Sequence, residues 1–264
     1  MVLVPACVSA PPPTADDDLC AGASGEPGEP GAVCCFCLSE QENHLQNESK
    51  RLQLLYGSSG AAPDGKGYYF FERVHSETII ADLTEDYTNV TGYYSTHFPQ
   101  TQPPFVREAT AHFVRRGKHY LVTSGTTGYL PNPSQIAVAD TWHGPYRVLG
   151  DPHPGDESQT SFHSQITSVF KVPGKRDLYI ALADRWAPAL MHLRYQDYGE
   201  WFRLRFAEER TPEEEARMAE LQKLLPPDSA MDTSKARYVW LPFRFEGEMG
   251  ILDWREQWSL DEFE

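Results

Sequence analysis

Glu108 stands in the run Arg107-Glu108-Ala109, at the head of a stretch from Val106 to Val114 that reads as a β-strand. A carboxyl there can deliver a proton at neutral pH if its surroundings favour the uncharged acid. On an inner strand facing aromatic side chains, burial does this by penalising the charged form. Successive side chains of an extended strand leave on opposite faces, so Arg107 points away from Glu108 and does not quench it. The competing reading is a strand-edge glutamate satisfied by a turn amide.

Other polar and aromatic groups could bind a neutral, hydroxylated ligand. Asp184-Arg185-Trp186 offers a carboxylate and a guanidinium for hydroxyl groups and an indole for stacking, or else a structural ion pair beside a core tryptophan. Thr126, between Gly125 and Gly128, is a hydroxyl for hydrogen bonding or simply a turn former. Tyr93, Tyr94 and Tyr129 are candidate stacking platforms, though tyrosines on sheets are usually packing. The histidines are scattered without ligand spacing. Cys34-Cys35-Phe36-Cys37 lacks the two-knuckle arrangement of a zinc site, so neither metal nor cofactor is expected.

The elements that would position these groups follow from composition and repetition. The 264-residue chain carries 23 Lys+Arg against 38 Asp+Glu, a net charge of −15 that disfavours a nucleic-acid partner. No run approaches the roughly 18 apolar residues of a membrane span. Aromatic residues reach 12% and sit among β-branched and turn residues, which favours β structure. Residues 1–50 hold eight acids, one base and all five cysteines within Pro- and Gly-rich sequence, and read as a disordered segment. Their start, MVLVPACVSAPPP, has no basic region and an interrupted apolar run, so it is a poor secretory signal and leaves the compartment unassigned.

From residue 51 to 264 the character changes. Gly65-Lys66-Gly67-Tyr68, Gly117-Lys118-His119-Tyr120 and Gly174-Lys175-Arg176-Asp177 each mark a tight turn feeding an aromatic and β-branched strand, and their leading glycines are 52 and 57 residues apart. That spacing approaches the length of a four-stranded propeller blade. The middle unit predicts strands at 106–114, 119–124, 135–140 and 146–149; the third predicts 165–171, 178–183, 237–245 and 250–254. A helical insertion at about 190–230 interrupts the third unit. Thr211-Pro212-Glu213-Glu214 is a capping box, followed by Met218, Leu221, Leu224 and Leu225 at helical spacing.

Six motifs then occur in order: Asp82-Leu83-Thr84-Glu85-Asp86-Tyr87 with Val90-Thr91-Gly92, Arg107-Glu108-Ala109, Thr123-Ser124-Gly125-Thr126-Thr127-Gly128, Phe162-His163-Ser164-Gln165, Ala183-Asp184-Arg185-Trp186, and Arg237-Tyr238-Val239-Trp240-Leu241-Pro242. Over about residues 65–258 the chain resembles glycoside hydrolase family 43, in the branch containing exo-β-1,3-galactanases. The resemblance implies a five-bladed β-propeller with a sugar site at the mouth of its central channel, and hydrolysis of glycosidic bonds with inversion. That chemistry uses a protonated carboxyl on the leaving oxygen and a base activating water from the opposite face.

By the same resemblance Glu108 is the general acid, Gln165 the catalytic base or water-positioning residue, and Thr126 a substrate contact, with Tyr94, Tyr129, Asp184, Arg185 and Trp186 lining the pocket. A neutral amide is not an ordinary base, so Gln165 needs a tautomer or proton relay; the alternative is an amide that orients water or a sugar hydroxyl. The resemblance also implies acids in the first blade and at the start of the second, but residues 51–60 contain none, and Asp64 belongs to a turn. The expectation is therefore an all-β, incomplete propeller of about three to three and a half blades. Its partner would be a galactan-like carbohydrate bound by a monomer; the alternatives are an inactive carbohydrate-binding remnant and an interaction scaffold using the rim helix.

Overall fold

The computed structural model describes residues 54–264, except 74 and 228–230. The 1–50 segment, with its expected disorder and its cysteines, lies outside the described residues.

The described chain forms three four-stranded antiparallel sheets, each a simple meander. The first contains β1 (Leu54–Ala61), β2 (Gly67–Arg73), β3 (Glu77–Leu83) and β4 (Val90–His97). The second contains β5 (Arg107–Arg115), β6 (Lys118–Gly125), β7 (Gln135–Ala139) and β8 (Arg147–Gly150). The third contains β9 (Gln165–Lys171), β10 (Tyr179–Arg185), β11 (Arg237–Glu246) and β12 (Met249–Leu252). The strands predicted for the last two sheets all form, with ends displaced by no more than a turn residue or two.

The three Gly-Lys turns are the first hairpin of each sheet. Gly65, Gly117 and Gly174 all take positive φ, at 84°, 76° and 77°. At the tightest, Arg115 pairs directly with Lys118 and both intervening residues are left-handed, Arg116 at 52°. Two positive φ angles match the right-handed twist of the flanking strands, and glycine takes the second without steric penalty.

Burial between sheets holds the unit together. Phe113, Tyr120, Val122 and Ile136 of the second sheet pack against Ile166, Tyr179, Leu241 and Phe243 of the third. Tyr68, Phe70 and Ile80 of the first meet Leu121 and Trp142 of the second, with Tyr68 stacked on Trp142 at 4.0 Å. Each large apolar side chain buried this way contributes on the order of 1.5–3 kcal/mol. A 2.9 Å hydrogen bond from the buried Thr78 hydroxyl to the Arg107 carbonyl ties the first sheet to the head of β5.

Two helices sit between β10 and β11: α1 (Tyr195–Arg205) and α2 (Pro212–Gln222). The Thr211 capping box forms as expected, with Glu214 N donating to Thr211 Oγ1 at 3.2 Å. The apolar stripe is shorter than expected. Leu221 is buried, but Leu224 lies past the helix end and is 68% exposed. The α1 helix lacks a clear stripe in the sequence, and packs Tyr198 with Leu130, Ala187 and Leu190. Among the described residues no helix is long and apolar enough to cross a membrane.

Candidate active site

In a meander, the heads of the first and third strands and the tails of the second lie at one end of the sheet. That rule gathers Glu108 at the head of β5, Gln165 at the head of β9, Glu72 at the tail of β2, Ser124 at the tail of β6 and Arg185 at the tail of β10.

The head of β5 is irregular. Its register runs Glu108 with Ser124 and then Ala111 with Val122, which inserts one extra residue, and Ala109 takes φ 50°. A bulge of this kind bends the strand and re-aims the side chain beside it. A non-glycine residue in the left-handed region costs about 1–2 kcal/mol, so the packed strand beyond must hold the distortion.

The Glu108 pKa is raised to about 7: burial is the largest cause, the nearby Glu72 carboxyl adds to the rise, and Arg107 and a hydrogen bond from Gln165 oppose it. Glu108 thus holds its proton to near neutrality. Arg107 leaves on the other face, as the alternation predicts, donating to the Thr123 hydroxyl at 3.0 Å and the Thr123 carbonyl at 2.6 Å.

Gln165 is clamped from two sides. Its Nε2 donates to Ser124 Oγ at 2.7 Å, and its Oε1 accepts the Trp186 indole N–H at 3.0 Å. An indole N–H only donates, so it fixes the amide oxygen on its own side and turns the NH₂ toward Ser124 and Glu108. Trp186 is in turn beside Tyr129, with ring centroids 5.6 Å apart and planes at 55°; Tyr129 is half exposed. Glu108, Gln165, Trp186 and Tyr129 therefore form one connected site with an aromatic wall.

Thr126 lies just past β6, its amide donating to the Pro104 carbonyl at 3.1 Å and its hydroxyl buried with no partner among the described residues. Arg185 serves the chain: Nη2 donates to the Phe162 carbonyl at 2.8 Å, holding a stretch in which Ser161, Phe162 and His163 all have positive φ. Asp184 points to the other face, where burial raises its pKa against a Thr167 hydrogen bond. Asp184 and Arg185 do not pair with each other, so the alternative reading of an ion pair within this tripeptide is not met; neighbouring side chains of β10 diverge.

Tyr94 is not brought to the site. It lies on β4, the outer strand of the first sheet, opposite Ala81, three residues or roughly 10 Å along β3 from the Thr78 that pairs with Glu72. Its neighbour Tyr93 packs edge-on against His143, with centroids 4.8 Å apart.

Glu72 is the residue that motif reading misses. It is 6% exposed, accepts the His75 amide at 2.6 Å, and has its pKa raised by burial against the pull of His75. Although residues 51–60 lack an acid, a second carboxyl thus reaches Glu108 from the first sheet. The signal was the alternation Tyr68, Phe70, Glu72, which places Glu72 on the face that packs against the second sheet. The histidines, scattered in sequence, meet in pairs, His112 with His119 and His97 with His143 through Ser95. No group of residues among those described is arranged to hold a metal ion.

In its sheet arrangement the chain is similar in fold to solved structures of glycoside hydrolase family 43. A family 43 β-1,3-galactosidase solved with galactodeoxynojirimycin is 23% identical, with a TM-score of 0.57 over 78% of this chain. The exo-β-1,3-galactanase of Clostridium thermocellum is 22% identical (TM-score 0.51, 76% of this chain), and that of Phanerochaete chrysosporium with β-1,3-galactotriose is 18% identical (TM-score 0.50, 76%). The chain spans 47%, 34% and 35% of those three proteins, less than half of each. No family model and no curated protein matches the sequence.

Proposed function

We propose that the protein hydrolyses O-glycosidic bonds of a β-1,3-galactan or a related galactose-containing polysaccharide, with inversion, at the Glu108 end of its sheets. The observation that carries this reading is a half-buried carboxyl whose pKa is raised to about 7, joined through Gln165 to an aromatic wall. The three sheets are, in this reading, consecutive blades of a five-bladed propeller, and the likeness to the galactanases supports that assignment.

Glu108 donates its proton to the departing glycosidic oxygen, which its pKa permits up to about pH 7. Glu72 keeps that proton in place through like-charge repulsion. Gln165 positions water or a sugar hydroxyl, its oxygen keeping a second lone pair beside the one held by the indole; as water bonds to the anomeric carbon and the glycosidic C–O bond breaks, the proton that water sheds passes to bulk solvent, because a neutral amide takes up none. Trp186 and Tyr129 offer ring faces to the pyranose.

The test is digestion of β-1,3-galactan followed by proton NMR from the first minutes. Early appearance of α-galactose supports inverting hydrolysis, and early β-galactose overturns inversion. Absence of any release, with galactose still bound, leaves a carbohydrate-binding protein in place of an enzyme.

A further inference from the structure

Behind β5, on the face opposite Glu108, Arg107 carries a positive charge without an acidic partner. Its Nε and Nη2 are taken by Thr123 and by the Pro133 carbonyl at 3.2 Å. Among the described residues no carboxylate stands within ion-pairing reach; the groups whose charges it feels are Asp151, the Tyr195 phenol and Glu108. Burial lowers its pKa only to about 10, so it stays charged.

The remaining nitrogen, Nη1, makes no hydrogen bond and lies over Gly125, 3.5 Å from the point a Cβ there would occupy. Gly125 and Arg107 line a cavity of about 270 Å³, together with Gln100, Gln135 and Tyr195. Register puts Gln135 opposite Thr123, on the same face as Arg107. The side chains of Gln100, Gln135 and Tyr195 line the same cavity and make no side-chain hydrogen bond among the described residues, so each keeps a donor free beside the arginine.

We propose that this cavity binds an oxyanion, a carboxylate, phosphate or sulfate group, either free or carried on a sugar. A guanidinium already fixed by three hydrogen bonds loses little freedom on binding, and its open edge suits a planar or tetrahedral oxyanion. The site stands apart from the Glu108 chemistry, being on the other face of the strand.

The experiment is thermal melting of the full chain with inorganic phosphate, and separately with galacturonate against galactose, at matched ionic strength in chloride. The control is Gln135→Glu, which places a carboxylate beside Arg107 without removing the arginine. Wild-type protein is expected to gain several degrees with saturating phosphate; Gln135→Glu is expected to melt higher without anion and to lose the saturable response. General salt stabilisation raises both proteins equally, and that outcome, an adventitious effect only, overturns the proposal. An unresponsive wild type overturns it also. Stabilisation by galacturonate beyond galactose assigns a sugar-borne carboxylate, and a response to phosphate alone assigns a free anion. Tyr195→Phe provides a second variant, expected to weaken the phosphate response several-fold while leaving the anion-free melt unchanged.

Discussion

The Trp186 indole N–H is bonded to the amide oxygen of Gln165 at 3.0 Å, and this one contact sets which end of the amide faces Glu108. With the oxygen held, the NH₂ group donates to Ser124 and toward the acid. A site that needs Gln165 to present a defined face needs Trp186 as a positioning residue as well as a stacking surface.

Trp186→Phe keeps an aromatic face and removes the N–H. The amide is then free to rotate, and kcat on galactan is expected to fall by roughly tenfold, with a smaller change in KM, since one positioning hydrogen bond is worth about 1–1.5 kcal/mol. A rise in KM with kcat unchanged would assign Trp186 to stacking alone.

Glu72 repels a charge on Glu108. Glu72→Gln retains an acceptor for the His75 amide but removes that repulsion, so the Glu108 pKa falls. In the proposed reaction Glu108 acts in its protonated form, so the alkaline limb of the pH-rate profile should move down by roughly half a unit to one unit. An unmoved limb would show that the two carboxyls do not communicate.

The same raised pKa affects stability. The native state holds the Glu108 proton to about pH 7, whereas the unfolded chain releases it near the ordinary glutamate value of 4.5. The native state binds the extra proton between these values, so its stability declines as pH rises from 4.5 to 7, by at most about 3 kcal/mol. Glu108→Gln has no such dependence. Urea melts should find it gaining on the wild type between about pH 4 and about pH 8. An equal difference at both pH values would contradict a buried, proton-holding carboxyl.

Histidine burial works in the opposite direction. His112 lies between Phe70, Trp142 and His119, and burial together with the neighbouring His119 brings its pKa down to about 3. Below about pH 6.5 the unfolded chain takes up a proton that the native state refuses, so stability is lost at up to about 1.4 kcal/mol per pH unit. His112→Phe preserves the stacking and should lose about 2 kcal/mol less than wild type between about pH 6.5 and about pH 5. Equal losses would place the His112 ring in contact with solvent.

How much of this was legible in sequence depended on whether the information was local. Turn glycines and alternating residues are local, so the Gly117 hairpin and the strand at Gln165–Lys171 could be read directly. Glu108 could be singled out through its motif, but the bulge beside it could not, because a bulge is defined by register against β6. Glu72 was missed because its partner lies on another sheet, and Tyr94 was misplaced because strand order, not sequence distance, puts it at the outer edge. The α1 helix was hidden by its aromatic residues, whose helix propensity is modest and whose burial depends on the contacts of Tyr198 with Leu130 and Leu190.

The central claim is that this chain turns over galactan with Glu108 as the acid. The direct measurement is release of galactose from β-1,3-galactan by the wild type and by Glu108→Gln, with both proteins shown to melt cooperatively. Release by the wild type that falls by at least about a hundredfold in the variant is the predicted result. A cooperatively folded wild type that releases nothing, or a variant as active as the wild type, would contradict it.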